Sequence, residues 1–310
     1  MDGPRTIRTD EIIDDSTITF KDYWQDFLAL IKIGIVNSNL ITAFTGFWLA
    51  LFFTGERFFD HWVSFIFVML GTAFIIAGAA ILNNYYDRDI DHKMKRTSKR
   101  ATITGTISLR AILTMGIAFS IIGVILLYIA SPLSALYGFI GWFVYVILYT
   151  MWTKRKYTIN TVVGCFSGAA PPLVGWAAID SSFSLYPFVL FLIMFLWQIP
   201  HFLSLAMMKN DDYKNAGVPM LPAVRGFKMT KRQILIYTIC LLPLPFYLYP
   251  LGTIFVIFAT ILNLGWIVLA FYGIFTSEDN KWARRMFLYS LNYLTLLFIG
   301  MVVATIPSFL

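Results

Sequence analysis

The sequence predicts an all-α polytopic membrane protein, and three observations predict it. Hydrophobic residues make up 58% of the chain and charged residues only 13%, whereas a soluble domain carries about 25% charged residues. The apolar residues fall in runs of roughly 20, the length a helix needs to cross a bilayer. The 24 Lys and Arg residues collect in the connections on one side, which is the bias that fixes membrane orientation. A net charge of +7 distributed in this way gives no sign of nucleic-acid binding. Cys165 and Cys240 both lie inside apolar runs, which argues against a disulfide framework or a zinc site.

Residues 1–31 read as a cytoplasmic leader without the charged-then-apolar start of a signal peptide. Tyr23, Trp24, Phe27, Leu28 and Ile31 are spaced for one apolar helix face, as in a helix lying on the bilayer surface. Residues 32–310 form a single transmembrane domain. Nine spans are expected, at 33–53, 62–83, 107–129, 133–152, 158–178, 185–207, 233–249, 251–274 and 285–306. With the N-terminus in the cytoplasm, the basic connections at 84–106, 153–157, 208–232 and 276–285 all fall inside, and only Arg57 faces outside. The C-terminus is then extracytoplasmic. This topology fits a multi-pass protein of a bacterial plasma membrane, inserted through its own first span.

Polar residues inside the spans follow the same sidedness: Asn37, Ser38 and Asn39, Asn83 and Asn84, Tyr149 and Thr150, Asn160, Gln198, His201 and Asn292. Intramembrane polar groups face a bundle interior or a water-filled cavity, so a central cavity open toward the cytoplasm is expected. Hydrogen bonding between helices is the alternative use of each single residue. Pro171-Pro172, Pro200, Pro243 and Pro245 each remove a helix hydrogen bond and kink their span.

The chemistry centres on Asn84-Tyr85-Tyr86-Asp87-Arg88-Asp89-Ile90-Asp91. Asn84, Asp87 and Asp91 stand at i, i+3 and i+7, so a continued helix projects all three from one face. Three oxygen side chains suit Mg²⁺, which completes its octahedron with water and substrate phosphates. Lys93, Lys95, Arg96, Lys99 and Arg100 follow and can hold the same phosphates. The pattern recurs after the sixth span, where Asp211, Asp212 and Asn215 precede Arg225, Lys228, Lys231 and Arg232. Two acidic stretches with adjoining basic residues suit a diphosphate held through Mg²⁺. An allylic diphosphate so held leaves a carbocation, and aromatic faces attract cations; aromatic residues make up 17% of the chain. A transporter of divalent cations or of a phosphorylated solute is the rival reading, but transporters bind near the midplane and these clusters sit at the membrane surface.

Asn84-x-x-Asp87-x-x-x-Asp91 resembles the first acidic motif of the UbiA-type intramembrane prenyltransferases, and the nine-span plan is similar. Within that superfamily the chain resembles the protohaem IX farnesyltransferases. This second resemblance rests on Ser38 to Thr42, Asn83 to Asp91, Gly168 to Trp176, Trp197-Gln198-Ile199-Pro200-His201-Phe202, and Asp212-Tyr213-x-x-Ala216-Gly217-Val218-Pro219. It covers roughly residues 35–300. One departure stands out: the second motif usually pairs two aspartates four apart, and position 215 here is Asn.

The resemblance implies transfer of a farnesyl group from farnesyl diphosphate to the 2-vinyl group of haem B, with addition of water, giving haem O and diphosphate. A quinone precursor or other aromatic acceptor is the alternative within the enzyme class. The implied metal ligands are Asn84, Asp87, Asp91 and Asp212, with Asp211 second to Asp212. The implied diphosphate contacts are Arg88, Lys95, Arg96, Arg100, Lys154 and Arg155. Trp197, Gln198 and His201 are implied at the acceptor, and histidine is a common axial ligand of haem iron. Beyond the lipid bilayer itself, the resemblance allows a downstream haem A synthase or a terminal oxidase assembly as a partner.

Overall fold

The structure is a computed structural model that describes residues 19–306 apart from 95, 96, 98, 99, 105 and 183. The leader's expected amphipathic segment is a helix, α1 (Phe20–Leu30), capped at its start by Thr19 and Asp22. Its Tyr23 and Trp24 are exposed and its last residue, Leu30, is buried. Residues 1–18 lie outside the described residues.

The first span is α2 (Ile33–Thr54), closed by Gly55 in the left-handed conformation. The second is α3 (Trp62–Asp91), which runs unbroken through the acidic stretch. After it come α4 (Leu109–Ala130) and α5 (Pro132–Phe143), the latter started by the Ser131 cap and Pro132. Beyond Phe143 the same segment widens into a π-helix, Val144–Thr153. The sixth expected span is α8 (Leu185–Met208), with α9 (Asn210–Asn215) directly behind it. The chain closes with α10 (Leu221–Cys240), a 3₁₀ stretch at Leu244–Leu251, α11 (Thr253–Phe275) and α12 (Asp279–Thr305).

Two expectations are refined by the structure. Among the described residues, eight helical stretches are long and apolar enough to cross a membrane. The segment expected as the fifth span is helical but divided into two short helices, α6 (Asn160–Gly168) and α7 (Ala170–Trp176), meeting at Ala169. Pro171 and Pro172 lack the N–H groups that would continue the ladder across that junction. The 208–232 connection is also less open than expected, because α10 begins at Leu221 and continues through the basic residues with one break at Gly226, where φ is 75°.

The broken segment packs on α2 at very short range. A methyl group at Gly175 would run into the Ala43 carbonyl, and one at Gly46 into the Pro172 carbonyl. The largest core joins α8, α10, α11 and α12 around Trp266, Trp282, Tyr293 and Phe298, all fully buried. The outward face of α11 carries Ile254, Ile257, Ile261, Val268, Phe271 and Phe275, all exposed, as a lipid-facing surface requires.

Candidate active site

The acidic end of α3 is buried. Asn84, Asp87 and Asp91 are each 1% exposed or less, whereas Asp89, on the opposite side of the helix, is open to solvent. Burying carboxylates is costly unless they are paired, and here each has a cation. The Lys154 ammonium sits on Asp87, which also accepts the Asn83 amide at 2.8 Å and lies 3.5 Å from Arg155. Arg100 donates to Asp91 at 2.6 Å. The other oxygens on this face are unspent: Asn84 Oδ1 and Asp91 Oδ1 are both enclosed and without a hydrogen-bond partner. Asn84 is oriented by its own amide, which donates to the Leu30 carbonyl at 2.9 Å.

The π-helix brings Lys154 to this place. The Lys154 N–H bonds to the Tyr149 carbonyl at 2.9 Å, and the Thr150 hydroxyl reaches the Tyr145 carbonyl at 2.8 Å, each spanning five residues. Such wide turns occur frequently at functional sites. Tyr145 and Tyr149 stack with centroids 5.5 Å apart, and the Lys154 ammonium lies 6.0 Å over the Tyr149 ring.

Of the remaining implied phosphate contacts, Arg155 forms a two-pronged pair with Asp89, both bonds at 2.7 Å, and lies over the Tyr86 ring at 4.6 Å. Those hydrogen bonds hold its guanidinium more firmly charged than usual. Arg88 is turned back onto the Tyr85 carbonyl at 2.6 Å and the Tyr85 ring. Lys95 and Arg96 lie outside the described residues.

Lys32 is a residue that the sequence reading missed. It sits in the turn between α1 and α2 and is the one non-glycine described residue with positive φ, at 53°. A strained backbone of this kind persists where the surrounding structure fixes it, often at functional sites. Its ammonium donates to Asn83 Oδ1 at 2.5 Å and lies 3.5 Å from the Tyr145 hydroxyl. No carboxylate reaches it within ion-pair distance among the described residues. Enclosure of the ammonium pushes its pKa well below that of an ordinary lysine, and the charges of Arg100 and Lys154 push the same way. The available signal was a lone cation at the lip of the first span, on the same side as the acidic stretch.

The second acidic stretch forms the short helix α9. Asp212 is half-buried, while Asp211 and Asn215 are exposed. Ile90 and Met94 pack with Ala216, Val218 and Met220, so both acidic stretches end at the same side of the bundle. Among the described residues no three His, Cys, Asp or Glu side chains converge as a metal cluster; Asp87 and Asp91 instead face Lys154 and Arg100. The expected lining of polar residues is also thinned. Asn37, Ser38 and Asn292 are exposed, and Ser38 and Asn39 bond back to the Ile35 carbonyl. The Gln198 amide donates to the Met194 carbonyl at 3.0 Å and more weakly to that of Cys165, wedged against Gly168.

Trp197 and His201 are buried one helical turn apart on α8 and stack with centroids 4.9 Å apart. Both bond to Ser290 of α12: the Trp197 indole N–H donates to its carbonyl at 2.8 Å, and His201 Nδ1 lies 2.7 Å from its hydroxyl.

A family model described as the UbiA prenyltransferase family matches residues 39–292. The chain belongs to that family. Among curated relatives, the protoheme IX farnesyltransferase of Oceanobacillus iheyensis is 54% identical over 304 residues, covering 96% of this chain and 97% of the relative. The protoheme IX farnesyltransferase of Geobacillus thermodenitrificans is 54% identical over 288 residues, covering 93% and 94%. The fold is that of solved UbiA structures. A digeranylgeranylglyceryl phosphate synthase is similar with a TM-score of 0.72 at 18% identity, covering 92% of this chain and 99% of that one. A UbiA homologue from Archaeoglobus fulgidus, bound to GPP and Mg²⁺, is similar with a TM-score of 0.60 at 15% identity, covering 89% and 99%. Family membership makes the protein a prenyltransferase and sets the transporter reading aside.

Proposed function

We propose that this prenyltransferase transfers the farnesyl group of farnesyl diphosphate to the 2-vinyl group of haem B, yielding haem O and diphosphate. The observation that carries the donor half is the buried oxygen face of α3, ringed by Lys32, Lys154 and Arg100. The acceptor half rests on the near-full-length likeness to protoheme IX farnesyltransferases.

The face fits a hard divalent cation: Asn84 Oδ1 and Asp91 Oδ1 are enclosed acceptors with no donor, and oxygen ligands are what Mg²⁺ selects. Asn84, Asp87 and Asp91 would hold it, with Asp212 and then Asp211 completing the donor set from α9. Bound Mg²⁺ would neutralise the diphosphate and ease its departure. Lys154 and Arg100, which pair with Asp87 and Asp91, are within reach of phosphate oxygens held at this face, and Lys32 adds a third amine with no carboxylate at ion-pair distance among the described residues. Arg88 and Arg155 stand at the rim, and Lys95 and Arg96 belong to the same basic stretch.

In the reaction the C1–O bond of the donor breaks and its electron pair leaves with diphosphate. The vinyl π pair forms the new C–C bond to C1. The cation left on the former vinyl carbon takes the oxygen of a water molecule, and a proton is released. The stacked Tyr145 and Tyr149 rings supply negative faces to positive charge at C1, worth up to about 2 kcal/mol each when desolvated. Trp197, His201 and Gln198 would meet the porphyrin. In this reading residues 32–310 act as one transmembrane unit and residues 1–31 as its leader. The acidic ends face the cytoplasm, with the C-terminus outside, as the Lys/Arg bias requires.

The test is direct. Membranes containing the protein, incubated with haem B, farnesyl diphosphate and Mg²⁺, should yield haem O on extraction and chromatography. Active membranes that give no haem O but prenylate an aromatic acid would overturn the acceptor assignment.

A further inference from the structure

Ser290 is not among the residues the sequence singles out, yet it holds both partners of the Trp197–His201 stack. Its hydroxyl carries a single proton, and that proton has a fixed destination. The oxygen lies 2.6 Å from the Phe287 carbonyl, which can only accept. At 2.7 Å from His201 Nδ1, the Ser290 oxygen must therefore be the acceptor, and Nδ1 must carry the hydrogen. A neutral imidazole has one N–H, so Nε2 holds a bare lone pair. Among the described residues Nε2 has no hydrogen-bond partner.

The ring is also immobilised by stacking. Trp197 lies 4.9 Å away at 22° and Phe287 4.7 Å away at 27°. Stacking occupies ring faces, whereas ligation of a metal uses the in-plane lone pair, so the two are compatible. Nε2 is not among the fully enclosed side-chain atoms that lack a partner, so it opens onto space that a ligand can enter. Metal-bound histidines donate one N–H to a protein acceptor, which fixes tautomer and orientation and leaves the other nitrogen for the metal.

We propose that Ser290 is a positioning residue that sets the tautomer of His201 and presents its Nε2 as an axial ligand to the iron of the haem substrate. The inference rests on the haem reading above. It adds that acceptor binding is controlled from α12, by a hydroxyl that acts through His201.

The experiment titrates ferric haem B into the full-length purified protein and into four variants: His201→Gly, Ser290→Ala, Ser290→Thr and Ser290→Cys. Wild type should give the absorption spectrum of histidine-ligated haem. His201→Gly should lose it, and free imidazole should restore it. Ser290→Ala should weaken haem binding by roughly 10–100-fold, the usual cost of removing such a support, and Ser290→Thr should recover it. A thermal shift with farnesyl diphosphate and Mg²⁺ serves as the folding control. Should Ser290→Ala fail that control, Ser290→Cys keeps the bulk with a weaker acceptor and should lower the iron–histidine stretching frequency of the ferrous protein. Wild type that binds no haem overturns the functional reading itself. An unchanged spectrum in His201→Gly overturns ligation. A responsive His201→Gly beside a Ser290→Ala, or a ferrous Ser290→Cys, that matches wild type overturns the role of Ser290 and leaves the haem reading standing.

Discussion

The side-chain amide of Asn84 donates to the backbone carbonyl of Leu30 at 2.9 Å, and this one bond aims the other end of the side chain. With its N–H₂ committed to the end of α1, Oδ1 is left enclosed and unpartnered, facing the same way as Asp87 and Asp91. Asn84→Asp would keep a ligand oxygen there but set a carboxylate against a carbonyl. Its turnover should fall by about 10–100-fold at saturating Mg²⁺, the scale typical of a lost outer support to a metal ligand. Wild-type turnover in Asn84→Asp would show that Leu30 orients nothing.

Lys32→Met separates two effects of one ammonium. The pKa of Lys32 is lowered in the folded protein, so the unfolded chain binds more protons between the lowered value and the ordinary lysine value. Stability therefore rises with pH through that window, and the charge is a burden below it. In the absence of donor, Lys32→Met should melt no lower than wild type at neutral pH. Its KM for farnesyl diphosphate should rise by roughly tenfold or more, and wild-type donor binding should weaken at a pH below that of an unperturbed lysine. A Lys32→Met with unchanged KM removes Lys32 from the phosphate cage.

Chelation divides the two substrates. EDTA should abolish farnesyl transfer, with activity restored by Mg²⁺, and should leave haem titration of the donor-free protein unchanged. Asp87→Asn should lower kcat by about 100–1000-fold, as for other groups that stabilise transition-state charge. Full activity of Asp87→Asn at limiting Mg²⁺ would refute its role as ligand.

Gly175→Ala tests the packing of the broken segment. The added methyl meets the Ala43 carbonyl, a backbone atom that cannot swing aside. Overpacking typically costs about 1–3 kcal/mol, so the melting temperature in detergent should drop by several degrees. An unchanged melting curve would mean that α2 and α7 separate without cost.

The acidic stretch was legible because spacing on a helix decides which side chains share a face, and α3 continues to Asp91 as that spacing requires. The basic loop was legible as charge, although the sequence could not assign Arg100 to Asp91 or Lys154 to Asp87. The first depends on how the chain turns back just beyond α3, and the second on a helix packed from a distant part of the chain. Three features escaped in whole or in part. The split at Ala169 follows from two prolines whose consequence, bending or breaking, is decided by what fills the gap; here Gln198 does. Lys32 was hidden because a lysine at a span boundary ordinarily reaches water. Ser290 was hidden because one serine inside a long apolar helix carries no pattern.

The π-helix at Val144–Thr153 bears on how such a site can arise. Each residue of a regular helix advances the next by about 100°. A wide turn takes an extra residue to close, so the residues beyond it are displaced in phase relative to a regular helix of the same sequence. Lys154 thus owes its place on Asp87 to the wide turns before it as well as to its residue type. A comparison that aligns this segment by helical phase alone would put the lysine on the wrong face, and a design that regularises the segment would keep every side chain and lose the pair.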